Sequence, residues 1–166
     1  MTLATHAVTG AVIASAMPHH AVLGFILGFA SHFLLDAIPH WDYPLSSYKA
    51  DPGNRLNDDM PINRAFWIDL SRIGTDLLCG GLLTLVFFTF TGPHLFWIPA
   101  LGAAGAVLPD ALQFVYWKWR HQPLIALQRF HLWIHAKKNF NGRPLIGVPL
   151  QAIFILLMLL ISRSGM

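Results

Sequence analysis

The stretch AVLGFILGFASHFLLDAI, residues 21–38, carries only three polar side chains, Ser31, His32 and Asp36. A run this apolar and this long approaches what a helix needs to cross about 30 Å of hydrocarbon. A spacing of four stacks His32 and Asp36 on one helical face, where both can hold one metal ion. The alternative is a His–Asp hydrogen bond that neutralises two buried polar groups. Burying both in an apolar run costs several kcal/mol without strong partners, which favours the ligand reading.

Upstream, residues 3–17 form a second apolar run, rich in small residues and ended by Pro18, His19 and His20. The two runs predict a tight helical hairpin, with Gly24 and Gly28 as a small-residue ridge for close helix approach. The first leg is short for a bilayer, so it is expected to tilt little, lie partly in the interface or be shielded by neighbours. Downstream, residues 43–64 are polar and turn-rich, with Pro44, Pro52, Gly53 and Pro61. Residues 66–91 predict a third helix, with Asp69, Arg72 and Asp76 on its first turns. Gly92 and Pro93 break it, and residues 95–119 return, interrupted by Pro99 and by Pro109 before Asp110. These make a second hairpin. Within an interfacial segment at 122–143, residues 124–138 predict a helix lying on the surface. Residues 144–162 lack any charge and are the plainest span.

The expected fold is all-α: a single domain over residues 1–166, an integral membrane bundle of about five membrane helices with one interfacial helix. Composition agrees. The 166 residues are 55% hydrophobic and 11% charged, with a mean hydropathy of +0.52, against roughly 25% charged in soluble domains. The net charge of +3 is spread over loops and forms no stripe for nucleic acid. The lone Cys79 cannot close an intrachain disulfide and is expected to pack. No basic segment precedes Ala7, so the first helix is expected to stay in the mature protein.

Lys49, Arg55, Arg64 and Arg72 flank the first long loop, and Lys118, Arg120, Arg129, Lys137, Lys138 and Arg143 crowd the second. The positive-inside rule places both loops in the cytoplasm. His6, His32, Asp36, Asp69, Asp76, Asp110, His131 and His135 then fall at the cytoplasmic face of the inner membrane, although none of them entered the topology.

His131 and His135 share the i, i+4 spacing of helical zinc sites, without the glutamate of a metalloprotease motif. With His6, His32, Asp36 and Asp110 they make a nitrogen and oxygen ligand set that suits zinc, manganese or iron. Asp69 pairs with Arg72 or supports the site. Asp76, deeper and without an obvious partner, is expected to act as ligand or base, and His40 and Asp42 as acid and base. His19, His20, His94 and His121 read as interfacial residues, and the six tryptophans, near helix ends, as an aromatic belt. Glutamate is absent, and no serine triad, P-loop or dinucleotide fingerprint occurs.

Three motifs, Thr5-His6-Ala7-Val8-Thr9-Gly10, Ser31-His32-x-x-x-Asp36 and Leu108-Pro109-Asp110, resemble bacterial membrane-bound metal-dependent hydrolases of the LexA-regulated inner-membrane type. That family shows a Pro-Asp-x-Asp-His cluster, whereas Asp110 is followed here by Ala111, Leu112 and Gln113. The resemblance implies a helical membrane protein with a hydrolytic metal centre, distantly similar to zinc-dependent phospholipase C. The expected activity is hydrolysis of a phosphoester or lipid-like amphiphile at the bilayer surface by a metal-activated water. The rival is a non-enzymatic metal carrier or scaffold whose His/Asp network ties helices together.

Overall fold

A computed structural model describes residues 1–91 and 96–164. The expected break at Gly92 and Pro93, with His94, lies outside the described residues. The described chain forms six helices: α1 Leu3–Ser15, α2 Ala21–Asp36, α3 Arg64–Thr91, α4 Trp97–Lys118, α5 Leu124–Ile134 and α6 Pro144–Ser164. A single turn of 3-10 helix, Arg55–Asn57, interrupts the long loop. No strand occurs among the described residues beyond one bridge between Lys49 and Asp59.

Three helices, α3, α4 and α6, are long and apolar enough to cross a membrane. The short α1 sits at the centre, packed against α2, α3, α4 and α6, and 11 of its 13 residues are buried. Shielding by neighbours therefore accounts for its length. Its small side chains allow this: Gly10 of α1 and Gly28 of α2 both pack directly on the backbone of Gly102 in α4. The second expected hairpin is wedged apart, since α3 packs more on α1 than on α4. The outer face carries exposed Leu78, Leu82, Ile153 and Leu157. Cys79 is exposed there too, contrary to its expected packing role; an apolar outer face accepts a thiol as readily as a core does.

Two helices bear on the site: α4 keeps its expected extent, and α5 is shorter than expected. Pro109 does not end α4, which runs on to Lys118. Proline has no N–H to offer the Gly105 carbonyl one turn back, and the next carbonyl along, that of Ala106, receives His32 Nδ1 at 2.8 Å. Helix α5 ends at Ile134, because the next residues pair with the chain after α2. Ala136 N donates to Asp36 O at 2.7 Å and Phe140 N to His40 O at 2.8 Å.

The polar loop is ordered by its acids. Buried Asp58 accepts from the Tyr48 hydroxyl and, at 2.8 Å, from Asp51 N. Asp69 accepts from both the amide and the hydroxyl of Ser47 at 2.7 Å and pairs with Arg72 at 3.2 Å. Lys118 at the end of α4 bonds Asp59 and the Met60 carbonyl, each at 2.7 Å.

Candidate metal centre

The carboxylate of Asp36, 2% exposed, lies at the end of α2 with five imidazoles around it. His131 Nε2 is 3.1 Å away, His6 Nε2 3.2 Å, His32 Nε2 3.3 Å, His40 Nε2 3.8 Å and His135 Nε2 3.9 Å. Asp110 joins through His32 Nε2 at 3.5 Å, and Asp42 through His40 Nε2 at 3.1 Å. Two sets can hold a metal ion: His32, Asp36, Asp110 and His131, and Asp36, His40 and His135. Asp36 belongs to both.

Proton positions follow from the carbonyls behind the rings. His32 Nδ1 lies 2.8 Å from Ala106 O, His40 Nδ1 2.7 Å from Ile38 O and His135 Nδ1 3.3 Å from Ala136 O. A carbonyl only accepts, so each Nδ1 carries its proton and each neutral ring turns an Nε2 lone pair toward Asp36. Main-chain support of this kind is the usual way a protein orients a metal-binding histidine. Without a cation the arrangement is short of protons: His131 Nε2 lies 3.3 Å from His32 Nε2 and 3.1 Å from Asp36 Oδ2, so one N–H there serves one of two acceptors. Fully buried His6, stacked on His32 at a centroid distance of 4.1 Å, has neither ring nitrogen in a hydrogen bond. A buried polar group left so costs about 1–3 kcal/mol. A divalent ion among His32, Asp36, Asp110 and His131 removes the first of these penalties, so the donor set fits a metal.

The centre has a closed floor and an open rim. The side chains of His6, His32 and His40 are wholly buried, whereas Asp42 and Asp110 are about one-third exposed, at 34% and 33%. The Met1 amine contacts Asp36 at 2.8 Å and Asp42 at 3.0 Å. Burial pushes the Asp42 carboxyl up, but its bond to His40 and the Met1 charge hold it well below the usual carboxylate range. Burial lowers His135.

The structure thus brings together His6, His32, Asp36, His40, Asp42, Asp110, His131 and His135. Asp76 stands apart. Its carboxylate accepts from Leu3 N at 2.6 Å and Ala4 N at 3.4 Å, supplying from α3 the cap that Thr2 does not give α1. A negative charge there also meets the positive end of the α1 dipole. Asp76→Ala is expected to cost roughly 1–2 kcal/mol of stability with metal content unchanged, as read by thermal melting beside elemental analysis. Loss of metal with an unchanged melt would return Asp76 to the site.

Gln151 was not legible as part of this region. Lone in the apolar α6, it accepts through Oε1 from Thr2 N, Thr2 Oγ1 and Thr5 Oγ1, each at 3.1 Å. Its Nε2 donates to the Trp41 carbonyl at 2.7 Å, tying α6 to the floor of the centre. A single amide in an otherwise apolar run was the available signal. His19, His20 and His121 are exposed and belong to neither metal-binding set. Comparison with protein-family models, with curated proteins and with solved structures gives no match for this chain.

Proposed function

We propose that this chain is a membrane-bound metal-dependent hydrolase acting on a phosphoester of an amphiphile at the cytoplasmic face of the inner membrane. About five helices, α1 and α2 among them, would lie in the bilayer, with α5 at the interface. The observation that carries the reading is the convergence of main-chain-oriented imidazoles on the shared carboxylate of Asp36. His32, Asp36, Asp110 and His131 would hold the ion, which leaves His40 Nε2 free for proton transfer; the set of Asp36, His40 and His135 would take a second ion only in place of that role. His6, stacked on His32, fixes that ring or joins the first set. Zinc, manganese and iron suit these donors.

A bound ion of this class supplies a water acidified toward neutral pH and Lewis acidity for the phosphoryl oxygen. The residues do the rest. His40 Nε2 and Asp42 Oδ2, 3.1 Å apart beside the open rim, have room for one shared proton: the pair takes it from the attacking water, holds it between the two atoms and returns it to the leaving oxygen. The wholly buried rings of His6, His32 and His40 exclude bulk water from one side, so substrate enters past Asp42 and Asp110.

Elemental mass spectrometry of the detergent-purified protein tests this. Wild type is expected to carry near-stoichiometric zinc, manganese or iron, and His32→Ala and Asp110→Ala to lose it, since each removes a direct ligand and even an outer-shell partner is worth about 10- to 100-fold in affinity. A folded, metal-free wild type would favour the scaffold reading, in which the same substitutions change stability alone. A carrier is disfavoured, because the ligands gather at one end while Leu82 and Ile153 mark an apolar outer surface.

A further inference from the structure

The segment that closes the metal centre on one side also builds a cavity that the hydrolytic site does not use. Residues 136–141 run alongside residues 36–42, fixed by Ala136 N to Asp36 O, Phe140 N to His40 O and Asp42 N to Asn141 Oδ1 at 2.9 Å. Arg143 N then donates to Phe140 O at 2.7 Å. Its cations are therefore mounted on a held backbone. Pro39, Lys138, Asn139, Phe140, Gly142 and Arg143 line a cavity of about 520 Å³ with no carboxylate in its wall.

Elsewhere several cations facing the polar loop have partners: Arg55 has Asp58, Arg72 has Asp69 and Lys118 has Asp59, and Arg120 bonds Asn57 and the Asp58 carbonyl. Among the described residues neither Lys138 nor Arg143 has an ion-pair partner, although the two converge with Asn139 on one cavity. Two such cations present a net positive site with donors for phosphate oxygens. Depth selects the kind of phosphate. Arg143 directly precedes Pro144, the first residue of the most apolar candidate span, and Leu145 beyond it is 91% exposed. Arg143 therefore stands where a helix meets lipid headgroups, and Pro39 and Phe140 give the cavity an apolar wall.

We propose that Lys138 and Arg143 bind the phosphate of an anionic membrane lipid, with Asn139 assisting. The inference rests on the reading of a membrane-bound metal-dependent hydrolase and narrows its substrate class to net-negative, phosphate-bearing lipids. Pro39 lies between Asp36 and His40, so a headgroup held there is within a few residues of both metal sets. Basic residues that only mark topology need share no cavity.

The test is native mass spectrometry of the full chain in mild detergent, titrated with phosphatidylglycerol and, separately, phosphatidylcholine. Each titration is repeated after chelator treatment. Lys138→Gln with Arg143→Gln is compared with Arg129→Gln with Lys137→Gln, which removes the same charge from residues outside the cavity. Wild type and the second pair should prefer phosphatidylglycerol; the first pair should bind it about 30-fold more weakly, with metal content unchanged. Equal phosphatidylglycerol binding by both pairs, or equal binding of the two lipids by wild type, would overturn the lipid site. A wild type that carries no metal as purified and still shows the difference would keep the lipid site and remove the hydrolase reading, whereas a difference that survives chelation of a metal-loaded protein would keep both. Competition by millimolar inorganic phosphate that abolishes the lipid preference would overturn it too, by showing a site for free anion.

Discussion

Asp36→Asn is expected to empty both metal-binding sets at once, lowering metal affinity by at least about 100-fold where loss of an outer ligand weakens only one set. Its carboxylate is common to both sets and lies within 3.9 Å of five histidine nitrogens. The amide keeps the size and one acceptor oxygen but loses the charge that offsets a divalent ion. Fold should survive, because a neutral amide brings N–H donors to a metal-free cluster that is short of protons. Elemental analysis and melting, measured on one preparation, separate the possibilities. Retention of wild-type metal by Asp36→Asn would sink the shared-carboxylate centre. A metal-free wild type with a strongly destabilised variant would mark Asp36 as the anion of a protonated histidine cluster instead.

Much of this site is legible in the chain because its geometry follows from helix periodicity and topology. The spacing of His32 and Asp36 fixes one face of α2, and hairpin connectivity alone brings His6, Asp110, His131 and His135 to the same end. What pattern reading undervalues is the turn after α2. His40 looks like a loop residue, yet the turn through Ile38 and Pro39, anchored by His40 Nδ1 on Ile38 O, sends its ring back to within 3.8 Å of Asp36.

Asp76 lies outside both metal-binding sets for a different reason. Its partners are backbone amides at the start of another helix, and main-chain donors carry no sequence signature. Gln151 is hidden in the same way, since its partners Thr2, Thr5 and the Trp41 carbonyl are fixed only when α1 occupies the middle. The central position of α1 is itself half legible: small residues advertise close packing, but which neighbours close on it depends on all four.

Gly102→Ala should therefore damage fold and centre together. A methyl there would press into the Gly10 carbonyl and the Ala14 side chain, with the Gly10 carbonyl carbon at 2.9 Å. The first of these obstacles is backbone and cannot swing aside. Overpacking of this kind costs about 3 kcal/mol, a fall in melting temperature of roughly 6–12 °C for a chain this long, measurable by tryptophan fluorescence in detergent. Gly81→Ala on the open face of α3, where a methyl meets nothing within 4 Å, should raise stability by up to about 1 kcal/mol through helix propensity. The pair controls for detergent and for helix formation. The damage should also reach the metal, because Gly28 of α2 rests on the same Gly102 backbone and His32 reaches Ala106 O only while α2 and α4 stay close. Moving α4 outward lengthens that bond, frees the imidazole to rotate and removes Asp110 from its neighbours. A Gly102→Ala protein that melts like wild type would show that the three helices do not meet at this distance. One that melts lower yet keeps its full metal content would show that the centre is held by α1, α2 and α5 without α4.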